Sequence, residues 1–496
     1  MASLHFFRRN HPKAAVSRLL IGMIAAAAAV MGQTAPSVKI GPVAVSGTWR
    51  TRIEAWDWFN GAANDTYLYV GSLGRLSFAQ QRKTFDWQLE VALPVLLGLP
   101  DDALAPGAQG QLGLGATYYV ANGRSRNAAL PFVKQAFVRF KNVAGSQAQT
   151  LRLGRIEFIE GAETVPKNAT LAAVKRDRVA HRLLGNFGWS HVGRSLDAVH
   201  YAYNGSRNNV TLVAARPTRG VFQVDGWGGL NIGLFYGALT RQVPMGRSAG
   251  EFRVFGLHYE DWRHVVKTDN RPLAMRNGDF ENIGVTTAGG NYIHAFETGS
   301  GTIDLMLWGV LQTGRWGRLD HRAAAATAEA GYQSPGLPRL RPWIRGGVHH
   351  GSGDGDPTDG KHGTFFQVLP TPRWYARFPF YNLMNNQDAY LQLILRPGTK
   401  LNLRSEMHWL RLARRNDLWY QGGGAFQPWT FGYIGRASSG QRGMAALWEL
   451  SADYQWNSHF QLGGFFATAR GRDVMNAIYP DGKNANLGCI ELGFRF

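Results

Sequence analysis

The sequence predicts an all-β protein, a transmembrane antiparallel β-barrel, and three observations support this fold class. The first is the last segment, residues 486–496, in which apolar and polar side chains alternate with a period of two. The second is a series of segments of about ten residues with the same alternation, each followed by a turn or a polar loop. The third is that no segment after residue 32 contains the ~18 consecutive apolar residues of a membrane-spanning helix.

The last segment separates its side chains onto two faces of a strand. A strand of this kind that closes a chain on phenylalanine is typical of bacterial outer-membrane barrels, with lipid on the apolar face and water on the other. A half-buried edge strand of a soluble protein is the alternative. The apolar face carries Ile490, Leu492, Phe494 and Phe496, and the opposite face carries Cys489, Glu491, Gly493 and Arg495.

A cleaved signal peptide is predicted over residues 1–32. Four basic residues and no acidic residue precede an alanine-rich apolar run at 19–30, which is too short to span a bilayer as a helix. Small residues follow this run near the expected cleavage point. We therefore expect one domain, a barrel over residues 33–496, because no linker or change of composition divides that part of the chain.

The internal strands and their connections follow the same pattern. Alternating segments begin near Val43, Phe85, Gly301 and Leu401, among others. Some neighbouring segments are joined by tight turns rich in Gly, Asn and Pro. Others are joined by long polar loops, such as those at 160–192 and 351–386. Short turns on one rim and long loops on the other are typical of transmembrane barrels.

The loop at 160–192 also contains a predicted short helix, at about 171–184. Three basic residues, Lys175, Arg176 and Arg178, lie within it. We expect this segment to be a solvated surface loop. The alternative is that it forms a lid or a plug.

The charge of the chain indicates an anionic partner. The formal net charge is +20, and only 11 of the 54 basic residues are lysines. The arginine guanidinium is always charged and matches carboxylate and phosphate groups in a two-point geometry. Export makes nucleic acid an improbable partner, which leaves an anionic polysaccharide, lipid head groups or small anions. The single cysteine, Cys489, cannot form an intramolecular disulfide, and we interpret it as a packed residue of the last strand.

Several segments together resemble the alginate export family of outer-membrane barrels. The most specific is the block that begins G-V-H-H-G-S-G-D-G-D-P-T-D-G, and the strands on either side of it add weaker similarity. One departure is Ile156, where the family usually has Gln. The similar segments are 347–360, 363–366, 369–372, 386–412, 50–54, 153–157 and 446–464.

The resemblance implies an 18-stranded barrel in the bacterial outer membrane, and about eighteen alternating segments can be counted in this chain. It also implies an arginine-rich, electropositive pore that passes an anionic uronate polymer, with loops and a turn acting as gates and no enzymatic chemistry. The residues do not distinguish mannuronate from another acidic sugar, and they do not give the direction of transport. The expected partners are the polysaccharide, outer-membrane lipid and the barrel assembly machinery, with no nucleic acid, and the protein is expected to be a monomer.

Basic residues at inward strand positions are the candidates for the pore lining, because conduction of an anion needs fixed positive charge around a water-filled path. Acidic residues also occupy inward positions, so the alternative is that many arginines form ion pairs that hold the wall rigid. The candidates are Arg50, Arg52, Arg75, Arg139, Arg155, Arg345, Arg404 and Arg495.

A metal site is a further candidate, in the loop that contains Asp354, Asp356 and Asp359. The D-x-D-x-x-D spacing is similar to a calcium loop but lacks the downstream glutamate of an EF-hand. The hypothesis is that this loop binds Ca²⁺ or shapes a gate, and the alternative is a solvated acidic loop. No other cofactor is expected.

Enzyme motifs are missing from the sequence, which contains no G-x-S-x-G, H-E-x-x-H or phosphate-binding loop. The leading prediction is therefore an outer-membrane channel for an anionic, alginate-like polysaccharide, working in export. A general or small-anion porin for uptake is the second hypothesis, and a structural or surface-interaction barrel is the third.

Overall fold

A computed structural model of the chain describes residues 37–496, so the predicted signal peptide lies outside the described residues. Within that range, eighteen antiparallel strands form one closed sheet. The strands are β1 Val43–Asp57, β2 Thr66–Gln81, β3 Phe85–Leu97, β4 Phe132–Lys141, β5 Gln149–Ile156, β6 Leu196–Asn204, β7 Asn208–Pro217, β8 Ile232–Met245, β9 Ser248–Asp261, β10 Ile283–Thr298, β11 Gly301–Trp316, β12 Leu319–Gln333, β13 Trp343–Gly351, β14 Asn386–Leu395, β15 Leu401–Leu412, β16 Gly443–Gln455, β17 Phe460–Gly471 and β18 Asn484–Arg495.

The last strand closes the barrel against the first. β18 pairs antiparallel with β1, with Ile490 opposite Ile53. Gly47 and Phe496 exchange two backbone hydrogen bonds of 3.0 Å at the end of this seam. Closure satisfies the backbone donors and acceptors that an open sheet would leave exposed at its edges. The predicted fold class and strand number are confirmed.

The strand wall has an apolar outer face and a more polar inner face. In β11, Leu307 and Leu311 are exposed on the outside, whereas Asp304 and Gln312 are buried on the inside. This arrangement follows from alternation, because successive side chains of a strand point to opposite faces. Among residues 37–496, no helix is both long and apolar enough to cross a membrane.

The two rims differ in the length of their connections. On the rim where the described chain enters β1, the turns are short, such as 246–247 between β8 and β9 and 299–300 between β10 and β11. The opposite rim carries the long loops 98–131, 157–195 and 352–385, together with others. The predicted asymmetry of short turns and long loops is therefore present.

Helices and short strands supplement the eighteen wall strands, and some of the short strands pair with the ends of wall strands. The α-helices are α1 Leu114–Ala121, α2 Ala169–Val174, α3 Leu273–Asn277 and α4 Asp473–Ile478, with a π-helical turn at Lys175–Val179 and 3₁₀ turns at Val143–Gly145 and Pro372–Trp374. The short strands are Val38–Ile40, Ala128–Ala129, Lys361–His362, and the hairpin partners Leu418–Gly422 and Tyr433–Ala437.

Two of the long loops fold into the barrel and contact each other there. Leu184 of the 157–195 loop and Leu369 of the 352–385 loop form a parallel bridge. Backbone hydrogen bonds of 2.8 Å join Gly185 to Leu369 and Leu369 to Leu183, and Thr371 donates to His181 at 2.9 Å. The two loops therefore dock as one body inside the wall.

The 157–195 loop is anchored to the wall by buried ion pairs. Arg178 binds Glu329 of β12 through two nitrogens, at 2.8 and 2.9 Å, and Arg182 and Arg345 approach the same carboxylate at 3.4 and 3.3 Å. Lys175 binds Glu251 of β9 at 2.6 Å. All of these side chains are buried.

The prediction of a solvated surface loop at this position is wrong, because Lys175 and Arg178 find their counter-charges on the inner wall of the barrel. Arg176 pairs with Asp177 of the loop itself. Buried charges of this kind are tolerated only when they are paired. The predicted helix at 171–184 is shorter than expected: α2 ends at Val174 and passes into the π-helical turn.

Two histidines of this loop are held in their neutral form by burial. Burial lowers the pKa of His181 to about 4, although the nearby carboxylates of Asp177 and Glu157 act in the opposite direction. Burial likewise lowers the pKa of His191 to about 4, although its Nε2 lies 3.4 Å from the Glu54 carboxylate. Released from the wall, each imidazole would titrate near its ordinary pKa of about 6.5.

We expect acidification to release the 157–195 loop. Between about pH 6.5 and pH 4 the released state binds more protons than the docked state. The free energy that favours docking therefore falls by about 1.4 kcal/mol for each histidine with every unit by which the pH is lowered. Hydrogen exchange at pH 7 and pH 5, corrected for the intrinsic exchange rate, should show protection falling in this loop and not in β11. The double variant His181→Gln, His191→Gln should flatten this difference; equal protection at both pH values in the unmodified protein would contradict it.

Candidate pore

A cavity lined by arginines lies between the inner wall and the two inward loops. Its volume is about 280 Å³. Four guanidinium groups and two carboxylates line it, together with aromatic rings and backbone of β17. The arginines are Arg50 and Arg52 of β1 with Arg373 and Arg377 of the 352–385 loop, and the acids are Asp453 and Glu491.

Strand alternation and register place the wall arginines together. Arg50 and Arg52 are two residues apart and therefore share the inner face of β1. Glu491 of β18 is the cross-strand partner of Arg52 and accepts a 3.0 Å hydrogen bond from its Nε. Arg50 lies 3.7 Å from the same carboxylate and donates to the carbonyl oxygens of Gly188 and Trp189, at 2.9 and 3.2 Å.

A second cavity, of about 400 Å³, lies on the long-loop side. Its lining is rich in aromatic residues, including Phe187, Phe222 and Phe378. Trp189 and Arg373 line both cavities. The Arg373 guanidinium carbon lies 4.3 Å from the centre of the Trp189 ring, so this cation–π pair forms a partition between the two spaces.

Burial lowers the pKa of Arg373 from its ordinary value, and the neighbouring Arg52 acts in the same direction. A guanidinium in protein nevertheless stays charged because its ordinary pKa exceeds 12. The partition therefore carries a fixed positive charge at physiological pH.

Two further sequence candidates, Arg345 and Arg404, lie among the anchors of the 157–195 loop. Arg345 lies 3.1 Å from Asp304 in addition to its contact with Glu329. Arg404 lies 3.3 Å from Asp177 of the loop. Both are buried: Arg404 binds the loop directly, whereas Arg345 pairs with two acids of the wall.

The remaining candidates are separated from the cavity. Arg75 is paired with Glu90 and Glu157, at 2.8 and 2.7 Å. Arg139 binds Asp86 at 3.1 Å, and Arg495 donates to the Ser458 carbonyl at 2.9 Å, both near the short-turn rim.

Arg155 lies on a different face from the other candidates. It is two residues from Leu153, which is exposed on the outer face, and it binds Asp197 at 2.7 Å. It does not face the lumen, because its position follows the parity of the outward residues of β5. The inward position predicted for Arg155 is therefore wrong.

Sequence reasoning missed the arginines that the loops contribute. Arg373 and Arg377 lie in the segment P-R-W-Y-A-R-F, where two basic residues are interleaved with aromatic residues. That pattern could have marked them, but nothing in the sequence shows that the 352–385 loop turns into the barrel. Cys489 of β18 lines the arginine cavity and is buried, as expected for a packed residue.

The acidic loop does not gather its three carboxylates. Asp354 accepts from the backbone N–H groups of Asp356 and Gly363, at 3.0 and 3.3 Å, and Asp356 accepts from that of Thr358. Asp359 accepts from the Lys361 N–H at 2.9 Å. These carboxylates stabilise turns of their own loop, and calcium binding here stays a prediction.

Solved structures with the same architecture come from outer-membrane proteins. OccAB4 of Acinetobacter baumannii has a TM-score of 0.54 at 8% identity, over 92% of this chain and 98% of that chain. OpdK of Pseudomonas aeruginosa, solved with vanillate, has a TM-score of 0.54 at 8% identity, over 91% and 98%. OccAB2 of Acinetobacter baumannii has a TM-score of 0.56 at 9% identity, over 92% and 98%. At these identities the likeness concerns the fold.

A search among curated proteins finds no match to this chain. The family model described as alginate export matches residues 116–474, which include strands β4 to β17 and both inward loops. The chain belongs to the alginate export family and is a multi-pass β-barrel of the bacterial outer membrane with the architecture of a channel.

Proposed function

We propose that this protein conducts an anionic polysaccharide, of the polyuronate class, outward across the outer membrane. The observation that carries the proposal is the arginine cavity, in which Arg50, Arg52, Arg373 and Arg377 outnumber Asp453 and Glu491. The cavity lies inside the barrel wall, between β1, β17, β18 and the inward loops, and this position supports a role in conduction.

The chemistry of the lining suits an acidic sugar. Guanidinium groups bind carboxylates through two parallel hydrogen bonds. The same cavity is lined by Trp189, Trp374 and Phe465, whose faces can pack against the apolar face of a sugar ring. Fixed positive charge inside a narrow, low-dielectric wall concentrates anions and repels cations.

The inward loops make this a closed, gated state of the channel. The Trp189–Arg373 pair separates the two cavities, and the loops that carry these residues are joined at Leu184 and Leu369. Passage of a polymer requires these loops to move apart or aside. The gates of the channel are then the 157–195 and 352–385 loops.

A small-anion channel is the second candidate. The arginine cavity, at about 280 Å³, is slightly below the ~300–1,000 Å³ of typical ligand pockets. One of the similar structures was solved with vanillate, a small carboxylate. A single small carboxylate could contact the arginines in this cavity without movement of the partition.

Removal of the loop arginines should reduce anion selectivity. The double variant Arg373→Gln, Arg377→Gln removes two charges. Each charge stabilises an anion about 6 Å away by about 0.7 kcal/mol in a water-like dielectric, which raises the local anion concentration roughly threefold. Reversal potentials in planar bilayers under a KCl gradient should therefore show the chloride-to-potassium permeability ratio falling severalfold. Arg155→Gln is the matched control, because it removes the same charge from the outer face. An unchanged ratio in the double variant would remove the arginine cavity from the conduction path.

The nature of the anion is tested by block of the same currents. Polyuronate added at concentrations where neutral dextran has no effect should block the unmodified channel, and the double variant should be less sensitive. Anion selectivity without block would favour the small-anion channel. No conductance from a heat-modifiable barrel would favour a structural barrel.

Removal of the ring at the partition should enlarge the conducting path. In Trp189→Ala the two cavities would merge, so single-channel conductance should increase while the anion preference stays, because the arginines remain. Trp448→Ala is the control, since Trp448 is exposed on the outer face. Equal conductance in both variants would place the narrowest part of the pore elsewhere.

Neutralisation of the wall anchor should favour the open state. Glu329→Gln leaves Arg178, Arg182 and Arg345 without their shared carboxylate, which costs about 3–5 kcal/mol for a buried pair. We expect a higher open probability in single-channel records. Heat-modifiable mobility on gels should show that the barrel itself is still folded. Glu297→Gln, at the short-turn rim, is the control and should behave as the unmodified protein. An open probability unchanged by Glu329→Gln would show that the loop is not the gate.

A further inference from the structure

A second cluster of polar side chains lies on the inner wall, on β15 and β16. Glu406 and Glu449 are direct cross-strand partners, and His408 is two residues from Glu406 on the same face. One ligand atom from each of the three side chains lies within 4.8 Å of the others. All three are buried.

The imidazole of His408 is oriented by a carboxylate on the neighbouring strand. Its Nδ1 lies 2.9 Å from an oxygen of Asp388 on β14. Its Nε2 has no hydrogen-bond partner among residues 37–496, and the side chain is 0% exposed. When Nδ1 donates to a carboxylate and Nε2 gives up its proton, the lone pair of Nε2 is available to a metal ion, as in metal-ligating histidines.

Two carboxylates that face each other across a strand pair repel unless a positive charge lies between them. Glu406 has Arg404 Nε at 3.9 Å, but that guanidinium also contacts Asp177 of the loop at 3.3 Å. Gln392 donates a hydrogen bond to Glu406 without contributing charge.

Glu449 is held by the backbone of the 352–385 loop. Its two oxygens accept from the N–H groups of Arg377 and Phe378, at 2.9 and 2.7 Å. Each carboxylate oxygen can accept at more than one position, so these bonds leave room for a cation. No lysine or arginine forms an ion pair with Glu449 among the described residues.

We propose that Glu406, His408 and Glu449 bind a divalent transition-metal ion of the Zn²⁺ class. One imidazole nitrogen and two carboxylate oxygens supply three ligands, which leaves a fourth position of a tetrahedral site for water. The imidazole disfavours Ca²⁺ and Mg²⁺, which prefer oxygen ligands only. The three ligands come from adjacent strands whose register the barrel fixes.

The position of the site gives the ion a structural role. It links β15 to β16 next to the point where the 352–385 loop is held by Glu449. A bound ion would neutralise the acidic pair and keep Glu449 oriented towards the loop. The inference does not depend on what the channel conducts, because it concerns binding of the ion alone.

The test is a calorimetric titration of Zn²⁺ into tag-free, chelator-treated protein, refolded in detergent at pH 7.5. We expect one ion per chain with micromolar or tighter affinity. His408→Gln and Glu449→Gln should each weaken binding at least tenfold. His349→Gln is the matched control, because His349 is also a buried wall histidine but has partners on both ring nitrogens, Thr327 and Leu383, and this variant should bind normally.

Folding of each variant is checked by heat-modifiable gel mobility. If a variant fails to fold, a second measurement uses the unmodified protein. X-ray absorption of its Zn²⁺-loaded form should show nitrogen and oxygen ligands with a single imidazole. Absence of binding, two or more imidazoles, or unchanged affinity in folded His408→Gln would overturn the proposal. If no ion binds, a proton shared within the cluster would stabilise the acidic pair instead.

Discussion

Closure of the strand sheet is the constraint on which the rest of the structure depends. A barrel wall without edges satisfies its backbone internally, and alternation then sends one set of side chains to the outside and the other to the lumen. An eighteen-stranded barrel encloses a lumen wider than its own side chains can fill. The 157–195 and 352–385 loops occupy this space, and their burial requires that their charges be matched by the wall.

Charge matching explains which arginines can act on a solute. Glu329 gathers Arg178 and Arg182 of the 157–195 loop and Arg345 of the wall, so these charges are compensated by the wall. In the cavity at β1 and β18, the supply of carboxylates is smaller than the supply of guanidinium groups. The excess positive charge is therefore local, and the total charge of the chain would not reveal where it lies.

The sequence was sufficient for the wall and insufficient for the lumen. Period-two alternation depends on neighbouring residues only, so strand starts at Val43, Phe85, Gly301 and Leu401 could be found without tertiary information. The inward placement of Arg373 or Lys175 depends on partners more than 70 residues away, such as Glu251 for Lys175, and no local pattern encodes it. Arg155 was misplaced because strand parity was read without knowing which face of β5 meets the lipid.

The parallel bridge between Leu184 and Leu369 has a consequence for how the protein can respond to its surroundings. Under the proposed gating, the shared backbone hydrogen bonds couple the two loops, so that they open in a single two-state transition. A molecule that engages one loop from either side of the membrane shifts the population of both. The molecule can thus behave as a switch that reads the two compartments jointly.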